Sequence, residues 1–244
     1  MRDESRPAYY ALSAGGWRDY VTLLHTPYTL WHLSYVVLGA AAAPVLHLDR
    51  LAWTVLAFFL AVGLAAHALD ELQGRPLKTG IPSGMLRGIG GLALAGAVGV
   101  GVYASIRISL WGVPFIAFGA FMVLAYNLEL WGGLFHTDLW FALAWGAFPA
   151  LAGYWANAEA IRPAALIVAA ACLALTLAQR TLSAQCRSLR RKVTHLSGSV
   201  EYQNGRREEL TVAALLQVPE RALRYLSYTV PLLALGWLVA RWAY

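Results

Sequence analysis

His67, Asp70 and Glu71 stand at i, i+3 and i+4, a spacing that places all three on one face of a helix. A neutral imidazole beside two carboxylates can ligate a divalent cation, or act as a base with an orienting acid. Glu129, His136 and Asp138 form a second cluster of the same residue types. As metal ligands, His67, Asp70, Glu71, His136 and Asp138 make a mixed set suited to iron, manganese or zinc. The plainer alternative is that Asp70 and Glu71 end a helix at a membrane interface and His67 is a core histidine.

Cations follow the first cluster. Arg75-Pro76-Leu77-Lys78-Thr79-Gly80-Ile81-Pro82 leaves the helix at Pro76 with two basic side chains and a glycine turn. Carboxylates followed by cations can hold a magnesium-bridged diphosphate, with Arg75 and Lys78 clamping phosphate oxygens. Arg180, Arg187 and Arg191, with Arg190 and Lys192, form a further basic stripe. It can close over an anionic head group or lie on anionic lipid.

These groups are positioned by long apolar elements. Hydrophobic residues make up 59% of the 244-residue chain and charged residues 13%, which excludes an ordinary soluble domain. Seven apolar blocks approach the roughly 20 residues a helix needs to cross the hydrocarbon core. They are 28–46, 51–69, 88–106, 109–126, 134–156, 164–179 and 225–240. The expected fold is therefore an all-α integral membrane bundle of about seven or more helices, forming one domain over 1–244. No signal peptide is expected, because residues 1–22 are polar and mixed in charge.

Lys and Arg set the expected orientation. With the N-terminus cytoplasmic, Arg2, Arg6, Arg18, Arg75, Lys78, Arg87 and nine more between Arg180 and Arg224 share one side, fifteen in all. Arg50, Arg107, Arg162 and Arg241 take the other. The positive-inside bias selects N-in and C-out, in an inner or plasma membrane of prokaryotic type. The net charge of +6 then needs lipid head groups and no nucleic acid to explain it. Five of the six histidines, all but His47, fall on the same side, and ionisable groups at membrane depth usually mark function.

Small residues recur four apart: Ala93, Ala97 and Gly101; Gly91, Ala95 and Gly99; Ala170, Ala174 and Ala178. Such stripes let helix backbones approach closely. Leu182, Cys186, Leu189, Val193 and Leu196 predict an amphipathic helix continuing from span six within the basic segment 180–224. Asn204-Gly205 predicts a hairpin turn, and 206–217 a further helix stopped near Pro219. Cys172 and Cys186 have no metal-ligand spacing and read as small apolar residues.

The pattern resembles the UbiA superfamily of intramembrane prenyltransferases over about 23–191. Leu24-His25-Thr26-Pro27-Tyr28 is similar to the family's entry into its first helix. Arg75-Pro76-Leu77-Lys78-Thr79-Gly80 is similar to its Arg-Pro-Leu-x-Ser-Gly segment, and Tyr126-Asn127 with Trp145-Gly146-Ala147-Phe148-Pro149 and Gly153 also fits. The place of the second Asp-rich motif is taken by Gln179-Arg180-Thr181-Leu182-Ser183-Ala184-Gln185, which has no carboxylate.

The resemblance implies an enzyme acting on an isoprenoid diphosphate, by prenyl transfer or terpene cyclisation, with Mg2+. Asp70, Glu71 and Tyr126 would be catalytic. Arg75, Lys78, Asn127, Arg180 and Arg187 would hold the diphosphate, and Trp31, Tyr35 and Trp145 would line the chain pocket. Two alternatives stay open. One is a non-catalytic relative that binds a lipid, pigment or partner; the other is a transition-metal enzyme built on the His and carboxylate clusters.

Overall fold

A computed structural model describes residues 6–243; Arg2 of the charge count lies outside them. A short helix α1 (Trp17–Leu23) precedes α2 (Thr26–Ala42). Then come α3 (Leu48–Leu72), α4 (Ser83–Arg107) and α5 (Leu110–Asn127). A continuous helix α6 spans 138–158, and α7 (Pro163–Arg191) and α8 (Val212–Ala243) complete the bundle.

Five of these, α3, α4, α5, α7 and α8, are long and apolar enough to cross a membrane. That is fewer than the seven expected. The other two apolar blocks are helical as well: α2 has 17 residues, and α6 has polar Asp138 and Asn157 near its two ends. Both are interior elements. Trp31, Tyr35, Val36 and Ala40 of α2 and Ala150 and Tyr154 of α6 are nearly inaccessible.

The α2–α6 contact rests on two glycines. A Cβ on Gly39 would overlap the Ala150 backbone, and one on Gly153 would overlap the Val36 backbone. Each helix thus runs directly against the other's main chain, the close approach that small residues permit in lipid. Of the three predicted stripes, only the first packs: Ala93 and Ala97 are buried and Gly101 faces Ile116. Gly91, Gly99, Ala170, Ala174 and Ala178 do not pack inside. In α7 the buried face is instead Ala165, Ala169, Cys172 and Thr176, one position out of phase with the all-alanine row.

Two helices contain wide π turns, Phe59–Ala66 in α3 and Ala142–Ala147 in α6. Such turns add a residue to the helical repeat and re-aim the side chains of the next turn, often at functional sites. His67 and Asp70 come directly after the first, and the second contains Trp145. The core between them is formed by Val62, Ala65, Leu69, Met122, Tyr126, Ala144 and Trp145.

α7 is one helix of 29 residues, so the amphipathic segment is its continuation. It ends at Arg191, so Val193 and Leu196, expected on the amphipathic helix, lie beyond its end. The hairpin forms, with β1 (Ser199–Glu201) antiparallel to β2 (Arg207–Glu209) around Gly205, whose φ is +78°. The predicted helix at 206–217 is corrected on both bounds: Arg207–Glu209 is strand, and α8 runs through Pro219 and Pro231 without ending. A proline inside a helix forfeits a hydrogen bond. Here Leu216, Glu220 and Leu223 on the surrounding turns are all buried, which holds the helix in place.

The termini lie at opposite ends of the bundle. Arg190 donates to the Arg6 carbonyl at one end, while Arg241 donates to the carbonyls of Ala43 and Pro44, beyond α2, at the other. At that second end Asn157 accepts from the His47 amide, and Arg50 pairs with Glu159 at 2.8 Å.

Candidate functional site

A cavity of about 300 Å³ opens at the end where the N-terminal segment lies, at the lower limit of the roughly 300–1,000 Å³ of ligand pockets. Its inner part is aromatic. Phe141 stacks on Trp145 at 5.1 Å, and Tyr126 packs against Trp145 at 4.8 Å and stacks on His136 at 4.3 Å. α7 contributes Arg180, Arg187, Arg190 and Arg191 at helical spacing along one wall. Arg180 lies over the Phe141 ring, 4.7 Å from its centre, and is fixed by Asp138 at 2.6 Å. Arg187 donates to Ser183 and has no carboxylate partner among the described residues. Arg190 forms a buried ion pair with Glu220 of α8 at 2.7 Å.

The N-terminal segment closes part of the mouth. Pro7, Ala8, Tyr9 and Tyr10 line the cavity. Tyr9 shares a hydrogen bond with Ser227, and Arg224 lies over its ring. Arg190 and Arg191 donate to the carbonyls of Arg6 and Pro7. Burial raises the hydroxyls of Tyr9 and Tyr10 above their ordinary pKa, so both stay protonated hydrogen-bonding groups near neutrality. His25, left-handed at φ 44°, stacks on His67 at 4.0 Å. Burial, with His67, Arg191 and Arg187 nearby, holds its imidazole well below the usual range.

The first acidic cluster divides. Asp70 lines the cavity and has no ion pair among the described residues. Glu71 is 1% exposed and points away from the cavity. It accepts from the amides of Leu77 and Thr79 and from the Thr79 hydroxyl, all at 2.9 Å. Glu71 is therefore the anchor of the loop after α3, which corrects its expected catalytic and metal-binding role.

That loop also absorbs its own cation. Arg75 donates to the carbonyls of Thr79 and Ile81 and to Ser83, and Asp19 accepts from the Gly80 amide. Neither Arg75 nor exposed Lys78 lines the cavity, so the expected diphosphate clamp is not assembled there. Both adopt positive φ, 54° and 55°, a strained turn that Glu71 and Arg75 hold shut.

Trp31 and Tyr35 are likewise corrected. Both are fully buried and lie outside the cavity; the Trp31 indole donates to Tyr35, whose hydroxyl meets Thr176 at 3.2 Å. Trp145, Tyr126 and Asn127 do line it, though Asn127 spends its amide on the Val123 carbonyl. Asp138 acts through Arg180. The expected metal set is not assembled, because among the described residues no group of three or more His, Cys, Asp or Glu side chains is placed to hold an ion.

Sequence reasoning passed over Tyr9, Tyr10, Tyr28, Gln179 and Glu220 as site residues. A signal existed for Gln179, an amide at the end of an apolar span. None existed for Tyr9 and Tyr10, which only tertiary folding of the N-terminal segment brings to the cavity, whereas Tyr28 sits in the segment that opens α2.

The fold and site together define a helical-bundle membrane protein with an arginine-walled, aromatic-floored cavity at one end. Compared with protein-family models, curated proteins and solved structures, the chain matches none.

Proposed function

We propose that the cavity binds an isoprenoid diphosphate, with the diphosphate against Arg180, Arg187 and Arg191 and the first isoprene units over Tyr126, Phe141 and Trp145. One observation carries this: three guanidinium groups converge on a cavity whose floor is aromatic. Arginine forks suit phosphate oxygens, and aromatic faces suit an apolar chain or the allylic cation left when its C–O bond ionises. The resemblance to the UbiA superfamily points to the same ligand. The residues present do not make a magnesium site, so charge on the leaving diphosphate falls to the arginines.

A second reading, a binding protein without catalysis, is favoured by the fate of Glu71 and Arg75. With both committed to the loop, Asp70 is the one carboxylate of the first acidic cluster on the cavity lining, and Arg75 is not there to clamp a phosphate.

In the bilayer, the cavity end is assigned to the cytoplasm by the positive-inside bias. α2 and α6 are counted as interior spans, making seven, with the N-terminus in and the C-terminus out.

Purified protein titrated with geranylgeranyl diphosphate tests the proposal. Saturable binding weakened about tenfold or more in Arg187→Gln is expected, given that hydrogen bonds to charged groups contribute about 1.5–3 kcal/mol each. Release of diphosphate separates enzyme from binder. Binding that is unaffected by both Arg180→Gln and Arg187→Gln would refute it.

A further inference from the structure

The cavity holds a second set of polar atoms that the diphosphate reading leaves unused. Nδ1 of His32 lies 2.8 Å from the Trp145 carbonyl, Nδ1 of His67 lies 3.2 Å from that of Gly63, and Nδ1 of His136 lies 3.0 Å from that of Tyr126. A carbonyl oxygen only accepts, so each contact requires the proton on Nδ1. In the neutral ring Nε2 is then a bare acceptor. All three rings line the cavity, and among the described residues no protein group donates to any of these Nε2 atoms.

Two further acceptors join them. Gln179, 3% exposed at the cavity wall, has a buried side-chain oxygen with no partner among the described residues. The Asp70 carboxylate is also on the lining and accepts no hydrogen bond from the described residues. Backbone tethering of one ring nitrogen fixes the orientation of the other. Among these acceptors the Gln179 oxygen is the buried atom left without a partner. Such an atom is costly, and it points to a ligand that supplies a donor where the ring nitrogens on the same lining are open to it.

The donor's chemistry is restricted. A metal ion fails because, among the described residues, no three of these groups are close enough to share one. An ammonium group would meet the field of Arg180, Arg187 and Arg191 along the same wall. Uncharged hydroxyls meet neither objection.

We propose that the cavity binds a phosphate or diphosphate ester carrying free hydroxyls next to its anion, each hydroxyl donating to one acceptor of the set His32, His67, His136 and Gln179. This rests on the anion-binding reading only for the arginine side. The same chemistry is offered by a glycerol-bearing lipid head group and by a free polyol phosphate.

The test uses the full chain in phosphatidylcholine nanodiscs, titrated with glycerol 1-phosphate, with propyl phosphate as its analogue lacking hydroxyls, and with inorganic diphosphate. Glycerol phosphate is expected to bind at least about tenfold more tightly than propyl phosphate, from two or more hydrogen bonds. In His67→Phe and Gln179→Leu that preference should fall to about twofold or less, while diphosphate affinity is unchanged. His136→Phe, at a half-exposed position, supplies the same readout should a buried variant fail to fold. Competition by phosphatidylglycerol added to the discs identifies the lipid as the source, and its absence identifies the free ester.

Equal affinities for the two esters overturn the proposal, as does a preference that survives all three variants. A stoichiometric transition metal lost in His67→Phe also overturns it, since the rings would then be ligands. Diphosphate binding without hydroxyl preference leaves the anion reading standing and this one refuted; loss of both refutes both.

Discussion

Glu71 accepts three hydrogen bonds from the loop that succeeds it, while Asp70, one position earlier, faces the cavity with no ion pair among the described residues. Spacing at i, i+3 and i+4 identified His67 and Asp70 as neighbours on the cavity face. It could not say that Glu71, 100° around the helix from Asp70, would turn to the loop, because the loop's need for a carboxylate is set by its own strained backbone. The same holds for Arg75, read as a phosphate clamp and used as a loop staple. Glu71→Ala should lower stability by about 3 kcal/mol or more, since it strips a buried loop of charge-assisted bonds. Asp70→Asn should leave stability within about 0.5 kcal/mol and act on ligand binding alone. Thermal unfolding of the two variants side by side checks the contrast; equal destabilisation would reject the division of labour.

At the scale of elements, the apolar blocks were legible because hydropathy alone delimits a helix in lipid. Which face packs was not. In α7 the all-alanine row is exposed and the mixed row Ala165, Ala169, Cys172 and Thr176 is buried, because Thr176 finds Tyr35 and the Cys172 carbonyl as partners. The π turns were also invisible, since they leave no mark in composition, yet one directly precedes His67 and the other contains Trp145. The α2–α6 seam carries a sharp expectation. Gly39→Ala sets a methyl against the Ala150 backbone, which cannot rotate away. It should cost more than the usual 1–3 kcal/mol or so of overpacking, whereas Gly91→Ala, with nothing nearby, should be neutral or slightly stabilising. Detergent-solubilised unfolding midpoints measure both, and a tolerated Gly39→Ala would mean that the two helices stand too far apart for backbone contact.

For the whole molecule, the termini lie at opposite ends, held by Arg190 against Arg6 and by Arg241 against Ala43 and Pro44. The charge count assigns fifteen basic residues to the side expected to be cytoplasmic, and the cavity opens at the end where the N-terminal segment lies, so the positive-inside bias and the ligand's entry side are one question. Cysteine labelling decides it cleanly, because Cys172 and Cys186 are both buried and give little background. Lys192→Cys sits at the exposed end of α7 beside the cavity, and Glu159→Cys sits at the opposite end, where it loses only a partly exposed pair with Arg50. With intact cells and a membrane-impermeant maleimide, Glu159→Cys should label and Lys192→Cys should label only after permeabilisation. The reverse pattern would put the arginine-walled cavity outside, beyond reach of any cytoplasmic diphosphate, and would remove that ligand while leaving the bundle as it stands.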